Sequence, residues 1–593
     1  MAAADRQRAW KRIRWGLWGL AVILAAWSWR RWPDVQVDFG RELYAPWRLT
    51  LGDALHRDLV WFNGPLSAWW NALWFRLAGT SLGTLIAVNL ALLVLALELI
   101  TGCVRRWAGN TAAAASGALF LCVFAFGRYA PIGNYNFVTP YSHELTHGLI
   151  LSLGALTLLS RDRSRLATLG AGVCLGLVLL TKAEVAVAAT GACLVRLFTA
   201  PVGGGRIQFL LGVLAPIALA FGLLAITLGA PAAPAALAGN WAHIGLSSLH
   251  ELPFYRAILG SDDPWGNLTH MGLWAAGCLT LYGVLFALCA RKTGSALRTP
   301  TARAGGVCLG LFVVGIALAE GRWRNIASPL PLLLLVIIAF QIHTLRNARQ
   351  QPGAAASASD ALALCLFAFL LLGKMILNPQ LAHYGFVLAL PATMVLVAVV
   401  AGRVPASLRA RGRPGGFLQA ATLGGLAVVM GMHLNEAHAW YHGQPEHWKP
   451  YEEHSVGKAG DEMRVRWRGK EMAAALADLQ QRLGPEDTLL VLPEGVMLNY
   501  LLRRRTPARH VNFMPPELLL WGEDAILSEL RQSPPDVVAI VHKDTSEYGA
   551  ARFGQDYGKR IWAWIENTYE RKAVFGANPL ASSRFGIAIM ERK

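Results

Sequence analysis

Long uncharged apolar runs follow one another through the first three quarters of the chain, and this feature restricts the fold most. A helix of about 20 apolar residues is long enough to cross the hydrocarbon core of a bilayer. The pattern therefore predicts an all-α polytopic membrane bundle with about 11–13 transmembrane helices. Thirteen candidate spans stand out, at 14–30, 80–101, 112–127, 146–160, 166–181, 185–199, 207–229, 270–290, 303–319, 328–344, 360–377, 382–401 and 417–434.

The apolar character is unevenly distributed along the 593 residues. Only 16% of the residues are charged, against about 25% in an average soluble protein. The deficit falls in residues 1–440, which we assign to a transmembrane domain with a large first loop at 31–80. Residues 441–593 have the composition of a water-soluble sequence and alternate strand and helix patterns, which predicts a soluble α/β domain. The predicted helix is 472–483, and the predicted strands are 488–492, 537–541 and 585–590.

The net charge of +18 comes largely from short basic clusters between the apolar runs. Lysine and arginine are enriched in cytoplasmic loops, and the clusters fall in alternate loops if the N-terminus is inside. No basic stripe interleaved with aromatic residues is found in the soluble part, so a nucleic-acid partner is not expected. The alternation predicts a cytoplasmic N-terminus, and it predicts that the first loop and the C-terminal domain both lie outside.

The first loop carries acidic residues close to the point where the chain leaves the membrane. Asp38 follows the first run, Glu42 and Tyr44 come shortly after it, and Asp58 lies further along. An acidic residue beside the bilayer is costly to desolvate and is often functional. The loop ends in an amphipathic, Trp-rich stretch at 66–77, which is typical of a helix that lies in the membrane interface.

This loop resembles the first outer loop of the C-type glycosyltransferases. These membrane enzymes use polyprenyl-phosphate sugars and include the protein O-mannosyltransferases, the aminoarabinose transferases of lipid A and the oligosaccharyltransferase catalytic subunits. Their pattern is an acid after the first span, a tyrosine a few residues on, a glycine-containing helix, and a Pro-Leu motif that opens an interfacial helix. Here those places are filled by Asp38, Tyr44, Gly52 and Pro65-Leu66. The likeness extends to the layout of the spans, the junction at 181–184 and the outer C-terminal domain.

The resemblance implies that Asp38 is the general base that removes the proton of an acceptor hydroxyl. Several relatives have a second acid directly after the first, whereas this chain has Phe39 and Gly40. Whether Glu42 or Asp58 supplies a second carboxylate is therefore open.

Displacement of a polyprenyl phosphate leaves a negative charge that arginine, lysine or a metal must stabilise. Arg322 and Arg324 flank Trp323 in an outer loop and are candidates, because guanidinium groups pair with phosphate oxygens in a bidentate manner. Lys182 is a third candidate for binding the donor phosphate. A plain anchoring role at the membrane interface fits Arg324 equally well.

The string His143-Glu-Leu-Thr-His147 matches the zincin pattern, in which two histidines one helical turn apart bind zinc and the glutamate is the general base. A membrane zinc metalloprotease is thus one alternative, although no third ligand motif follows. By the resemblance, the second outer loop lends acidic metal ligands in oligosaccharyltransferases, so His143, Glu144 and His147 would bind a divalent metal or contact the donor phosphate. They also suit a plain helix start, where Glu144 is favoured by the helix dipole.

The sequence is interpreted as an inverting membrane glycosyltransferase. It would move a sugar from a polyprenyl-phosphate-linked donor to a lipid, glycan or protein acceptor, among membrane lipids, at the outer face of a bacterial inner membrane. A divalent metal is the one cofactor considered. A non-enzymatic lipid or sugar carrier is a further alternative, and no internal repeat of the kind typical of transporters is seen.

Overall fold

The computed structural model describes residues 2–161, 164–199, 205–242, 247–291, 297, 299–319, 321–348, 350–443 and 452–593. Helices dominate as far as His442. In chain order they are α1 Ala2–Trp27, α2 Phe39–Thr50, α3 Leu66–Ala78, α4 Leu82–Ala108, α5 Asn110–Leu119, α6 His143–Arg161, α7 Arg165–Leu179, α8 Ala183–Thr199, α9 Gly205–Leu228, α10 Ala233–Ala242, α11 Ser247–His250, α12 Pro253–Leu259, α13 Pro264–Ala290, α14 Pro300–Ala317, α15 Leu330–Asn347, α16 Pro352–Leu371, α17 Gly385–Leu388, α18 Leu390–Val397, α19 Val404–Ala410 and α20 Gly415–His442.

The predicted membrane bundle is confirmed. Within the described residues, eight helical segments are long and apolar enough to cross a membrane by length and composition: Leu82–Ala108, Gly205–Leu228, Pro253–Ala290, Pro300–Ala317, Arg322–Asn347, Gly353–Met375, Gly385–Ala410 and Gly415–His442. The other five predicted spans also coincide with helices, namely α1, α6, α8 and the shorter Asn110–Ala125 and Arg165–Leu179. Those five are shorter than a full span or include charged residues, as α1 does over its first half. The chain is an integral membrane protein.

The C-terminal unit, residues 452–593, is an α/β structure, as predicted. Its elements are β1 His454–Val456, β2 Met463–Val465, α21 Gly469–Arg482, β3 Leu489–Leu492, α22 Met497–Leu502, α23 Pro515–Trp521, α24 Glu523–Gln532, β4 Val537–Val541, α25 Lys559–Thr568, β5 Tyr569–Gly576 and β6 Gly586–Arg592. The two short strands β1 and β2 pair with each other, and the main sheet has the order β3-β4-β6-β5. Strand β5 was not anticipated, because five of its eight residues are exposed and three charged residues near its start interrupt any apolar run.

Strands β3 and β4 form a parallel pair, in register from Leu489 with Val537 to Leu492 with Ile540. Every residue of both strands is buried, as expected for strands covered on both faces. Because parallel strands end at the same edge of a sheet, the segments that follow β3 and β4 emerge side by side. That edge carries the residues that the C-terminal unit contributes to the candidate site.

The first loop is held against the C-terminal unit by backbone hydrogen bonds. The Thr506 N–H donates to the Tyr44 hydroxyl at 2.8 Å, and the Val60 N–H donates to the Arg509 carbonyl at 3.0 Å. The start of α2 packs so closely on α22 that a Cβ at Gly40 would lie 2.5 Å from the Met497 nitrogen. The membrane part and the C-terminal unit therefore meet through close contacts, and at Gly40 there is no space for a larger side chain.

The far end of the first loop lies against the turn between α7 and α8. Gly64 N–H donates to the Thr181 carbonyl at 2.7 Å, and a Cβ at Gly64 would lie 2.1 Å from the Leu180 carbonyl oxygen. Next to this contact, the Trp-rich stretch forms helix α3, as predicted. The close approach brings Lys182 toward the loop that carries Asp38.

Candidate active site

Asp38 stands directly before α2 in a backbone conformation that non-glycine residues rarely adopt. Its φ is 57° and its ψ is −52°, and its side chain does not cap the helix. The Asp38 N–H donates instead to Oε1 of Glu494 in the C-terminal unit, at 3.1 Å. Strained backbone persists only where the surroundings hold it, and such positions cluster at functional sites. Asp38 therefore lies at the contact between the membrane part and the C-terminal unit.

Glu494 and Lys543 form a buried ion pair beside Asp38. The Lys543 Nζ lies 3.2 Å from Oε2 of Glu494, and the two side chains are 9% and 4% exposed, respectively. Glu494 follows β3 and Lys543 follows β4, so the parallel pairing of the two strands brings them together. One oxygen of Glu494 thus accepts from Asp38 while the other faces a lysine that balances its charge.

Aromatic rings form a continuous wall near Asp38, which we call the aromatic wall. It links the loop before α6, the segment before α17, helix α12 and the C-terminal unit. The successive ring centroids are 5.3, 5.2, 6.3 and 5.0 Å apart, typical of interacting aromatic pairs. In order the members of the wall are Tyr135, Tyr141, Tyr384, Phe254 and Tyr548.

Two further cations lie in the same cluster. Lys182 places its Nζ 5.1 Å from the centroid of the Tyr141 ring and 3.5 Å from the Ser142 hydroxyl. Arg41 donates to the Tyr141 carbonyl at 3.3 Å and is buried. The charges of both act on the Asp38 carboxylate. The arrangement combines one partly accessible carboxylate, an aromatic surface and positive charge.

Burial, reinforced by the nearby Glu494 carboxylate, raises the pKa of Asp38 to about 6, although Arg41 and Lys543 act in the opposite direction. A general base works best when its pKa lies near the operating pH. Burial likewise raises the pKa of Glu517, on α23, to about 7. One of its carboxylate oxygens, Oε2, is buried without a hydrogen-bond partner among the described residues.

The raised pKa of Asp38 leads to a prediction about pH dependence. A base must be deprotonated to act, so if Asp38 is the base of the sugar transfer predicted from the sequence, kcat/KM should fall as the pH drops through about 6. A carboxylate with the ordinary pKa of about 4 would remain active to much lower pH. The measurement is kcat/KM in detergent as a function of pH. A value that stays constant down to pH 4.5 would contradict the assignment of Asp38 as the base.

Glu42 and His143 join the first loop to the second loop behind the cluster. Oε2 of Glu42 accepts hydrogen bonds from both the backbone N–H and Nδ1 of His143, at 3.0 and 2.7 Å. Nε2 of His143 lies 3.0 Å from the Asn89 amide nitrogen, so both of its ring nitrogens are engaged. These hydrogen bonds lower the pKa of Glu42 despite its burial. The buried Glu42–His143 pair joins the two loops, and Oε1 of Glu42 also pairs with Arg41 of the cluster at 3.3 Å.

The HELTH string is tied into the protein by hydrogen bonds. His143 uses both ring nitrogens within the protein, and His147 is held through Nδ1 to the Ser67 hydroxyl at 3.0 Å. Glu144 accepts from the Ser142 hydroxyl at 2.7 Å. Among the described ranges, no group of three or more His, Cys, Asp or Glu side chains is arranged to hold a metal ion. Nε2 of His147 and Oε1 of Glu144 are buried without a hydrogen-bond partner among the described residues, so a metal role for this string stays a prediction.

Three other candidates lie apart from this cluster. Asp58 pairs with its neighbour Arg57 at 2.8 Å and accepts from the Ala54 N–H, which closes a turn of the first loop. Arg324 is exposed and contacts Glu436 on α20 at 3.3 Å. Arg322 is also exposed, in the same short turn. Of the predicted phosphate-binding residues, the structure brings only Lys182 to Asp38.

Sequence reasoning missed Arg41, Glu494, Lys543 and the aromatic wall. The sequence does contain a signal for Glu494 and Lys543. The strands at 488–492 and 537–541 were recognised, and their ends are followed directly by Pro-Glu-Gly and His-Lys-Asp. In α/β structures ligands bind at the carboxyl ends of parallel strands, so these charged residues stand where a site is expected.

Fold and cluster together define an integral membrane protein with an acidic, aromatic-walled site between its helices and its C-terminal unit. The solved structures to which the chain is similar include ArnT from Cupriavidus metallidurans bound to undecaprenyl phosphate, with 14% sequence identity, a TM-score of 0.42 and coverage of 97% of each chain. They also include the archaeal oligosaccharyltransferase AglB from Archaeoglobus fulgidus in complex with an inhibitory peptide and a dolichol-phosphate. For AglB the identity is 13%, the TM-score 0.41 and the coverage 96% of this chain and 74% of that one.

A third structure is the Archaeoglobus fulgidus oligosaccharyltransferase complexed with Zn and sulfate, at 12% identity, a TM-score of 0.35 and coverage of 96% and 73%. ArnT and AglB are both polyprenyl-phosphate-dependent C-type glycosyltransferases, the class that the first loop resembles. At these identities and TM-scores the likeness transfers no substrate or residue role. Neither a protein-family model nor a curated protein matches the chain.

Proposed function

We propose that this protein is a membrane glycosyltransferase that moves a sugar from a polyprenyl-phosphate donor to an acceptor hydroxyl. The observation that carries the proposal is the Asp38 carboxylate. Asp38 is half-buried, its carboxylate has no hydrogen-bond partner among the described residues, and its charge interacts with tyrosines of the aromatic wall and with Arg41 and Lys182. That combination suits a reaction in which a proton is removed next to a leaving phosphate.

The chemistry assigns one task to each part of the cluster. The Asp38 carboxylate takes the proton of the acceptor hydroxyl as its oxygen forms a bond to the anomeric carbon of the sugar. The bond from that carbon to the phosphate oxygen breaks, and the phosphate leaves with the electron pair. Lys182 or Arg41 neutralises the negative charge that develops there. A single displacement of this kind inverts the configuration of the anomeric carbon.

The position of the cluster suits a lipid-linked donor. Asp38 lies just after α1, so the site opens where the membrane helices meet the C-terminal unit. A polyprenyl chain would remain in the bilayer while its phosphate sugar reached the aromatic wall, whose ring faces offer apolar surface to a sugar. We place this face outside a bacterial inner membrane, with the N-terminus in the cytoplasm, because basic clusters mark the opposite loops. Residues 441–593 would then form the outer domain that closes the site.

The donor class is tested by reconstituting the full chain in liposomes with a membrane-extract acceptor mixture. A panel of labelled polyprenyl-phosphate sugars is compared with the same sugars on nucleotides. We expect labelled product from at least one lipid-linked donor and none from the nucleotide sugars. Transfer from nucleotide sugars alone, or release of casein fragments that depends on Glu144, would overturn the proposal.

Lys182 gives a prediction about donor binding. Changing Lys182→Met removes a charge near the leaving phosphate but leaves an unbranched side chain over Tyr141. Charge-assisted hydrogen bonds contribute about 1.5–3 kcal/mol, so kcat/KM for the donor should fall about tenfold to a hundredfold. Arg322→Gln is the matched comparison, because it removes a cation predicted from the sequence for the same role. Equal losses in both variants would show that Lys182 has no special place in the site.

A further inference from the structure

A second cavity, of about 200 Å³, lies between the first loop and the C-terminal unit, and we call it the lateral cavity. The hydrogen bond from the Val60 N–H to the Arg509 carbonyl joins its two walls. All of its described lining residues belong to the first loop or to the C-terminal unit, and none belongs to a membrane helix. The rings and charges that line it are those of His56, Trp61, Arg509, His510, Trp521 and Glu529.

Flat rings make up much of the wall of the lateral cavity. On the side of the C-terminal unit, the centroids of the His510 and Trp521 rings are 6.0 Å apart, and the ring planes are inclined at 61°. Trp61 and His56 line the side of the first loop. A sugar ring has apolar C–H faces that pack on aromatic rings, and the cavity has room for one such ring.

The polar groups of the lateral cavity carry balanced charge. Arg509 and Glu529 are 3.4 Å apart and are the lysine, arginine, aspartate or glutamate side chains among its described lining residues. Nε2 of His56 is buried without a hydrogen-bond partner among the described residues, and burial lowers the pKa of His56, which keeps the ring neutral at pH 7. The cavity therefore offers hydrogen-bond donors and acceptors to hydroxyl groups, whereas a phosphate or ammonium group would find its counter-charge already paired.

Two contacts place the lateral cavity beside the Asp38 cluster. The centroid of the Trp61 ring lies 6.0 Å from Cζ of Arg41, a cation of that cluster. Trp521 follows Glu517 by four residues on α23, about 6 Å along the helix axis, and the charge of Asp38 acts on the Glu517 carboxylate. The cavity is thus next to the proposed base, on the side formed by the C-terminal unit.

We infer that the lateral cavity binds a neutral sugar unit of the acceptor, so that the acceptor is a saccharide. The sugar face packs on Trp521, and Arg509 and Glu529 hydrogen-bond to its hydroxyl groups. The donor is held in the bilayer by its polyprenyl chain, and a cavity without membrane-helix residues suits the other substrate. This inference rests on the proposed function, because it concerns the acceptor whose hydroxyl Asp38 would deprotonate.

Binding is tested without a donor, by saturation-transfer difference NMR of the full chain in lipid nanodiscs. The probes are mannobiose, chitobiose and lactose, with digalacturonate and inorganic phosphate as anionic comparisons. Trp521→Leu removes a ring from the cavity, and Trp564→Leu is its matched control, because Trp564 packs partly buried on the same core but does not line the cavity. Arg509→Gln and Arg505→Gln form a second pair that perturbs folding little, since these side chains are 52% and 49% exposed and each contacts one carboxylate.

We expect at least one neutral disaccharide to bind, and Trp521→Leu and Arg509→Gln each to weaken it about tenfold while the two controls leave it unchanged. The same disaccharide should compete with the membrane-extract acceptors for sugar transfer. No binding of any disaccharide, equal losses within a matched pair, tighter binding of an anionic probe, or binding without competition would overturn the inference. Absence of transfer from every lipid-linked donor would instead overturn the proposed function, because the binding measurement contains no donor.

Discussion

Asp38→Asn should abolish sugar transfer while leaving the protein folded. Asparagine has nearly the same shape, and its backbone N–H can still donate to Glu494, but it cannot accept a proton. Positioned general bases contribute about 10²- to 10⁴-fold to rate, so kcat should fall by at least about a hundredfold. The measurement is initial-rate transfer from the active polyprenyl-phosphate sugar, with donor KM determined in parallel.

Asp262→Asn is the control for this substitution. Asp262 is an exposed acid of a later loop, ahead of α13, so the change in charge and shape is the same without any contact with the cluster. We expect its transfer rate to equal that of the unmodified chain. If Asp38→Asn retained more than a tenth of the rate with unchanged thermal stability, another group would have to be the base.

The second large effect is expected at the Glu494–Lys543 pair. Lys543→Met leaves the Glu494 carboxylate buried without its partner, and breaking a buried pair in this way costs about 3–5 kcal/mol of folding free energy. The full chain should therefore unfold at a clearly lower temperature in detergent. Adding Glu494→Leu removes the orphaned charge, and we expect the double variant to recover most of that stability.

The double variants separate folding from the positioning of Asp38. In Glu494→Leu/Lys543→Met nothing accepts the Asp38 N–H, so transfer should stay at least about tenfold low although stability returns. In Glu494→Gln/Lys543→Met the amide oxygen can still accept, and transfer should recover with stability. The pH below which transfer falls should then move slightly below 6, because the loss of the Glu494 charge, which raises the pKa of Asp38, outweighs the loss of the Lys543 charge, which lowers it. Equal transfer in both double variants would show that Glu494 does not position Asp38.

The membrane fold could be predicted from the sequence because its signals are local. Each predicted span is one apolar run, and the bilayer requires every such run to satisfy its own backbone as a helix. The strands at 488–492 and 537–541 were found for a similar reason, since their apolar runs are continuous. The exposed and charged residues of β5 gave no such run, and the strand was missed.

The candidate site was predicted only in part, because it is assembled from distant segments. Asp38 and Lys182 were singled out, and the structure places both in the cluster. His143 and Glu42 were also chosen; they hydrogen-bond to each other, and Glu42 pairs with Arg41 of the cluster. No local pattern shows that Glu494 accepts a hydrogen bond from a residue 456 positions earlier. Charged residues at helix ends look alike in sequence whether they bind a ligand or tie two loops together.

The same separation sets the order in which the site comes into being. Asp38 leaves the ribosome first, and its partner Glu494 follows 456 residues later. At a synthesis rate of 5–20 residues per second, the interval is roughly 20–90 s. Throughout that time the Asp38 N–H lacks the acceptor that holds it in the finished chain. A nascent or truncated chain that lacks its last hundred residues therefore keeps its membrane helices but lacks Glu494. We expect such a chain to have no transferase activity, so that the site is complete only when translation ends.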